Sequence, residues 1–337
     1  MSLSRAANPV LVEAVRGNMV ESRHRGACAV TDARGRLVLA LGDVERPIYG
    51  RSAIKPLQAL PLIETGAADA FALDARELAL ACASHRGEPS HVRAIEGWLA
   101  RLGLSARDLE CGAHAPADPA SAEALLRVGA APSALHNNCS GKHAGFLTTA
   151  RHLREPTRNY IDAAHPVQRR VRAVLEAMTG LDLDAAPRGI DGCGIPVIGI
   201  PLAGLARAMA RLADPTGLAP TRAAAARRIL DAMAAEPSMV AGSGSFTTAV
   251  LSEAGRTVRL KPGAEGVFCA ALPEQGLGIA LKIADGAGRA AEVALGEILR
   301  RLGALSPEQG ERLAPLLRPS LRNVAGHEIG ELRPAAE

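Results

Sequence analysis

Lysine is nearly absent from this chain: of thirty-nine basic residues only Lys55, Lys142, Lys261 and Lys282 are lysines, and the other thirty-five are arginines. A guanidinium stays protonated at any physiological pH, whereas a buried ammonium can lose its proton and become a base, a nucleophile or a metal ligand. Such chemistry is therefore confined to four positions, and three of them sit in short stretches rich in glycine, serine or cysteine. Aromatics are equally scarce, with one Trp, two Tyr and four Phe. The core must be built from Ala, Leu, Val and Ile, and Ala/Leu-rich helices are expected. A net charge of +4, with arginines scattered among carboxylates, leaves no basic stripe with interleaved aromatics, so nucleic acid is excluded as a partner. No uncharged apolar run reaches about 18 residues and the first residues carry charges throughout, so a soluble cytoplasmic protein without a membrane partner is expected. The six cysteines, at 28, 82, 111, 139, 193 and 269, form no CxxC pair and lack the density of a secreted scaffold, which points to free thiols or a few metal ligands.

What is present is 48% apolar residues over 337 positions, enough for one large domain or two ordinary ones. The apolar runs 27–31 and 37–41, joined by Asp32-Ala33-Arg34-Gly35-Arg36, predict a hairpin with a glycine turn. Helical patterns follow at 52–64, 89–102, 120–128, 141–153, 160–178, 202–212 and 221–235. After Gly242-Ser243-Gly244-Ser245 short strands are expected at 246–252, 257–260, 266–271 and 278–283, then an amphipathic helix at 288–302 and an edge strand within 323–332. Strands at both ends around a helical middle predict a discontinuous α/β domain, residues 1–50 and 240–337, whose antiparallel sheet is formed by both chain ends. A mainly helical domain, 51–239, is inserted, and a cleft between the two is the expected ligand site.

Four constellations could carry chemistry. In Arg51-Ser52-Ala53-Ile54-Lys55 the SxxK spacing puts a hydroxyl and an amine on one helical face. A lysine whose pKa is lowered by burial or a nearby cation can take the serine's proton, although Ser52 could equally cap the helix while Lys55 reaches solvent. Leu260-Lys261-Pro262-Gly263 ends a predicted strand and resembles the lysine-x-glycine strand of penicillin-recognising serine enzymes, whose order of hairpin, SxxK, helical insert and KxG strand is also the order here. In Cys82-Ala83-Ser84-His85-Arg86-Gly87-Glu88 a second serine either ends a helix or pairs with Lys261. Lastly, Asn137-Asn138-Cys139-Ser140-Gly141-Lys142-His143-Ala144-Gly145 and Asp191-Gly192-Cys193-Gly194-Ile195-Pro196 hold two thiols and a lysine. As a metal site this is weak by residue type alone, because lysine is outside the usual zinc set; a cysteine nucleophile assisted by His143 is the other reading. The stretch is not a P-loop, since position 136 is His and the residue after Lys142 is His143.

Taken together, RSAIKPLQ, CASHRGE, NNCSGKHAG, DGCGIP and the KPG strand resemble the L-asparaginase II family of rhizobial type, over nearly the whole chain. The resemblance implies a serine β-lactamase/glutaminase-like fold and hydrolysis of L-asparagine to L-aspartate and ammonia by a homodimer. It implies two serine–lysine tandems, Ser52 with Lys55 and Ser84 with Lys261, of which Ser52 is the preferred nucleophile. It also implies zinc (Zn2+) held by Cys139, Lys142 and Cys193, and substrate contacts from Arg51, His143 and Asp191. The alternatives are a glutaminase, a penicillin-recognising serine hydrolase, or a non-catalytic amino-acid-binding protein on the same fold.

Overall fold

The computed structural model describes residues 7–255 and 257–336. Strands β1 (Val10–Arg16), β2 (Met19–Asp32) and β3 (Leu37–Leu41) open the chain. Helices α1 (Lys55–Gln58), α2 (Ala75–Ala81), α3 (Pro89–Arg101), α4 (Ser140–His152), α5 (Pro166–Thr179), α6 (Leu202–Ala213), α7 (Pro220–Ala235) and α8 (Phe246–Glu253) follow. Strands β4 (Arg259–Gly263), β5 (Val267–Leu272) and β6 (Leu277–Ile283), helices α9 (Gly288–Arg301) and α10 (Pro307–Leu317), and strands β7 (Ser320–Arg322) and β8 (Glu328–Pro334) close it.

The chain divides into two compact units. One runs from the N-terminal segment to Ala53 and takes in Ile200–Asp214 and everything from Ala249 onward; the other comprises Ile54–Gly199 and Pro215–Thr248. The sheet unit carries an antiparallel sheet in the order β7-β8-β1-β2-β6-β5-β4, with β3 on β2, so both chain ends contribute strands as expected. Long β2 serves two partners in turn: β1 pairs its first half, and over Gly26–Asp32 it lies between β6 and β3. One face of the central strands is small, with Ala27 opposite Lys282, Ala29 opposite Ala280 and Thr31 opposite Gly278. That face receives α6 so closely that a Cβ on Gly278 would stand 2.1 Å from Ala206 O and Ala210 N. The other face carries the fully buried Ile279, Leu281 and Ile283 and packs against α9.

The helical unit centres on α4, in which eleven consecutive residues, Ser140 to Ala150, are buried. Two glycines on one face of α4 allow this: a Cβ on Gly141 would lie 2.3 Å from Leu80 O, and Gly145 faces Leu62, Ala81 and Trp98. Trp98 Nε1 of α3 donates to Thr148 Oγ1 of α4 at 2.9 Å. Helix α7 is tied to the segment before α2 by Arg222 to Glu64 and Arg228 to Asp69.

Three expectations from the sequence are corrected. Residues 246–252 are helix, not strand: Ser245 Oγ accepts the Thr248 N–H at 3.1 Å as a cap, and Phe246, Thr247, Val250 and Leu251 are buried with helical spacing. The pattern at 160–178 becomes helix only at Pro166, where His165 Nδ1 accepts from Val167 N, which leaves Tyr160 in a loop. The segment 52–64 is broken into a 3-10 turn, Arg51–Ile54, and two short helices, because Pro56 and Pro61 each restart the hydrogen-bond ladder. In addition, α6, which sequence boundaries at 51–239 grouped with the helical part, belongs to the sheet unit.

Candidate active site

Within the sheet unit, Ser52 sits in the 3-10 turn that runs into α1, and Arg51 enters that turn with φ +49°, a left-handed conformation that costs a non-glycine residue roughly 1–3 kcal/mol. The Ala53 N–H donates to Gly50 O at 3.1 Å and closes the turn. The end of β4 fits against it: a Cβ on Gly263 would stand 2.8 Å from Gly50 O and 3.1 Å from Ala53 N, so glycine is needed there for the strand to approach the serine-bearing turn. Two residues back on β4, Lys261 is fully buried and its Nζ donates to Pro262 O at 2.9 Å. Opposite it on β5 is Cys269, whose thiol burial pushes up to about 12 despite the nearby Lys261 charge.

Within the helical unit, Lys55 is 1% exposed, and its Nζ meets three oxygens: Ala83 O, Ser84 Oγ at 3.1 Å and Asn138 O at 3.3 Å. The two carbonyls can only accept, so two N–H bonds are committed to them. The remaining position of the amine is shared by Ser84 Oγ and the Cys139 thiol, which also hydrogen-bonds Lys55. Ser84 itself is anchored by its N–H on Val240 O at 2.9 Å. The next residue, His85, is buried; its Nδ1 accepts from Gly87 N, so its Nε2–H donates to Ser140 Oγ at 2.8 Å, and Ser140 Oγ donates onward to Leu135 O. Burial holds His85 well below the usual imidazole range, helped by His91, stacked 5.0 Å away, and by Lys55. A neutral relay thus joins the Ser84 loop to the start of α4.

Cys139 precedes α4, and its N–H donates to Asn137 Oδ1 at 2.9 Å, while Asn137 Nδ2 donates to Cys111 O. One turn on, Lys142 Nζ lies 3.0 Å from Cys193 Sγ. Cys193 is placed by a tight turn in which Gly194, at φ +87°, donates to Asp191 O, and the Asp191 N–H returns to Ile195 O at 2.8 Å. The two thiols share a hydrogen bond, and the charge pattern is asymmetric. The bond from Cys193 holds Cys139 well below the ordinary thiol range, with Lys55 and Lys142 adding to the effect, and Cys193 is pushed up. Burial disfavours the Lys142 ammonium, yet Cys139, Cys193 and Asp191 together raise it. Two sulfurs and one amine from three chain positions thus converge in a buried spot; the two thiols are usual donors to a soft divalent metal ion, while the amine lies outside that set and is held protonated by the sulfurs beside it. Among the described residues the acidic group Glu176, Asp182 and Asp184 is the cluster of more usual ligands, but it is at the surface and bonded to Arg172.

His143 follows Lys142 and is fully buried, its ring edge-on to Tyr160. The Tyr160 oxygen accepts the Glu110 N–H at 2.7 Å and donates to His143 Nδ1 at 2.9 Å, which leaves the ring proton on Nε2. That buried Nε2 has no hydrogen-bond partner, and burial with Lys142 and Lys55 holds the ring neutral. A donor is therefore aimed at nothing the protein supplies, the condition expected of a ligand contact.

Of the ten candidates read from the sequence, Lys55, Ser84, Cys139, Lys142, His143, Asp191 and Cys193 fall in the helical unit, and Arg51, Ser52 and Lys261 in the sheet unit. Sequence reasoning missed Tyr160, the Asn138 carbonyl and His85. The rarity of tyrosine, with only two in the chain, was the one signal that could have flagged the first.

The family model described as L-asparaginase II matches residues 12–334. No curated protein sequence matches the chain. Among solved structures, that of Mglu in its native form in the presence of 4.3 M NaCl is 17% identical, covering 82% of this chain and 61% of its own, with a TM-score of 0.43. A β-lactamase from Mycobacterium bovis is 14% identical over 82% of this chain and 94% of its own, with a TM-score of 0.39. Simvastatin synthase from Aspergillus terreus is 13% identical over 77% and 86%, with a TM-score of 0.37. The family match runs from β1 into β8 and takes in all ten residues placed above, and the chain belongs to the L-asparaginase II family, a family of asparaginase hydrolases.

Proposed function

We propose that this protein is an L-asparagine amidohydrolase that releases L-aspartate and ammonia through a serine acyl intermediate. The observation that carries the reading is the buried Lys55 amine, committed to two carbonyls and facing a serine hydroxyl at 3.1 Å, an arrangement suited to proton transfer between nitrogen and oxygen. Ser52 attacks the side-chain amide carbon and its proton passes to Lys55. The carbon–nitrogen bond breaks, Ser84 relays a proton to the departing ammonia with Lys261 as its partner, and water then cleaves the ester to release aspartate. Arg51 holds the substrate carboxylate, Asp191 its ammonium, and His143 Nε2–H donates to it. Cys139, Lys142 and Cys193 hold zinc, which when bound neutralises the thiolate charge and clamps α4 to the 191–196 turn. The enzyme is a cytoplasmic homodimer in this reading, which light scattering tests for the oligomer.

Ammonia release from asparagine, compared with glutamine, by purified protein is the deciding assay; no release from either amide sinks the reading. A second reading is favoured by the same contact: because the serine that Lys55 meets is Ser84, Ser84 is itself the nucleophile. Ser52→Ala and Ser84→Ala separate the two, since only the nucleophile variant fails to form a covalent acyl adduct detectable by mass spectrometry. Elemental analysis of wild type against Cys193→Ser tests the metal independently: equal zinc in both, or none in either, removes it from the scheme.

A further inference from the structure

His85 and Ser140 have no step in the proposed reaction, yet both are buried and each stands two residues beyond a group that grips Lys55. Ala83 O and Asn138 O accept from the Lys55 amine, and His85 and Ser140 follow them at the same spacing. Two segments of the helical unit are therefore joined twice, once through the lysine and once where His85 Nε2 meets Ser140 Oγ at 2.8 Å. Between the two links lie Ser84, whose Oγ is 3.1 Å from Lys55 Nζ, and Cys139, whose thiol also bonds Lys55. All four groups that meet the amine are thus strung on one closed loop.

The second link has a set direction. Ser140 Oγ has one proton and gives it to Leu135 O at 3.0 Å, so toward the ring it can only accept. The Gly87 N–H occupies His85 Nδ1, which puts the ring proton on Nε2. The ring is also held in its plane, because it stacks on His91 with 5.0 Å between centroids and 17° between planes. His91 is pinned in turn: its Nδ1 accepts the Glu88 N–H and its Nε2–H donates to Ser238 O at 2.9 Å. His85 is 1% exposed and Ser140 0%, so breaking their bond strands a buried donor.

We infer that His85 and Ser140 are a positioning pair: their bond sets the spacing of the Ala83 and Asn138 carbonyls, and with it the direction in which the Lys55 amine faces a serine hydroxyl. The inference rests on the proposed reaction, in which Lys55 carries the serine proton. A shift of about 1 Å at either carbonyl turns the amine, and a misplacement of that size costs about 10²-fold in rate.

Ser140→Ala removes one oxygen and adds no volume, so it carries the test even where His85→Leu fails to fold. It is expected to lower kcat on asparagine by about 10–100-fold while KM moves by less than about twofold. His85→Leu should match it, and His85→Gln, whose side-chain amide can donate at the reach of Nε2, should recover most of the loss. The double variant Ser140→Ala/His85→Leu should be no slower than either single one. Wild-type kcat in Ser140→Ala, or losses that multiply in the double variant, would overturn the pair.

The scarcity of lysine supplies a readout without turnover. Protein labelled with 13C at lysine Cε has four NMR signals to give, and Lys55→Arg and Lys282→Arg identify two of them. The Lys55 signal is expected to move in Ser140→Ala while that of Lys282, in the sheet unit, stays in place. A stationary Lys55 signal, or equal movement of both, would overturn the inference whatever happens to kcat. If wild type releases no ammonia, the asparaginase reading fails by itself, and the lysine spectra still decide whether the pair sets Lys55.

Discussion

Lys55 Nζ stands 3.1 Å from Ser84 Oγ, although the SxxK motif links Lys55 in sequence to Ser52. One amine is thus in reach of a serine hydroxyl other than the one its own motif supplies. Replacing Lys55 by arginine puts in its place a group that stays protonated at any physiological pH and so cannot act as a base. We expect kcat on asparagine to fall by about 10²–10⁴, the usual worth of a positioned general base. An arginine variant of near wild-type kcat would remove Lys55 from the chemistry.

Gly263 gives a test of position without touching a reacting group. An added methyl would sit 2.8 Å from Gly50 O, which is backbone and cannot swing aside. Gly263→Ala should therefore displace the Ser52 turn by a fraction of an ångström and lower kcat by about 10–100-fold, with a far-ultraviolet spectrum like that of wild type. Unchanged kcat would show that β4 does not set the turn.

Tyr160→Phe deletes one hydroxyl from a buried chain of three groups. The Glu110 N–H and His143 Nδ1 both lose their partner, so stability should drop by about 1–3 kcal/mol in denaturant titration. Nitrogen NMR of the imidazole is the sharper readout: a single Nε2–H tautomer in wild type and a mixture in the variant.

Acid should weaken the fold through His85. Its folded pKa lies well below the ordinary imidazole value, so below about pH 6.5 the unfolded chain takes up a proton that the native relay refuses. The contribution is fully present at neutral pH and falls as pH drops through the ordinary imidazole range. His85→Gln should flatten that slope in urea midpoints measured at neutral and mildly acidic pH; an equal slope would place the acid sensitivity elsewhere.

Much of this molecule was legible because its chemistry is packed into short motifs. Glycines in NNCSGKHAG and KPG mark close approaches, and the structure places Leu80 O against Gly141 and Gly50 O against Gly263. Alternation of apolar residues located β2, β3, β5 and β6. What was not legible has two physical origins. In 246–252 the β-branched Thr and Val read as strand, and only the Ser245 cap together with burial spaced by helical turns decided for helix. The other origin is distance along the chain: the Lys55–Ser84 bond, and the support of His143 by Tyr160 and Glu110, join residues whose neighbours in sequence say nothing of each other.

The pairing of β1 with β8, Val12 opposite Pro334, has a consequence for how the protein is made. During synthesis β1 leaves the ribosome long before its partner β8, so that pairing stays open while the helical segments between them are already available to pack. Closing it is a long-range event paid in chain entropy, which makes it the slow step expected of the fold. A permuted gene that links β8 directly to β1 would turn this step into a local one, and its product should refold faster than the parent.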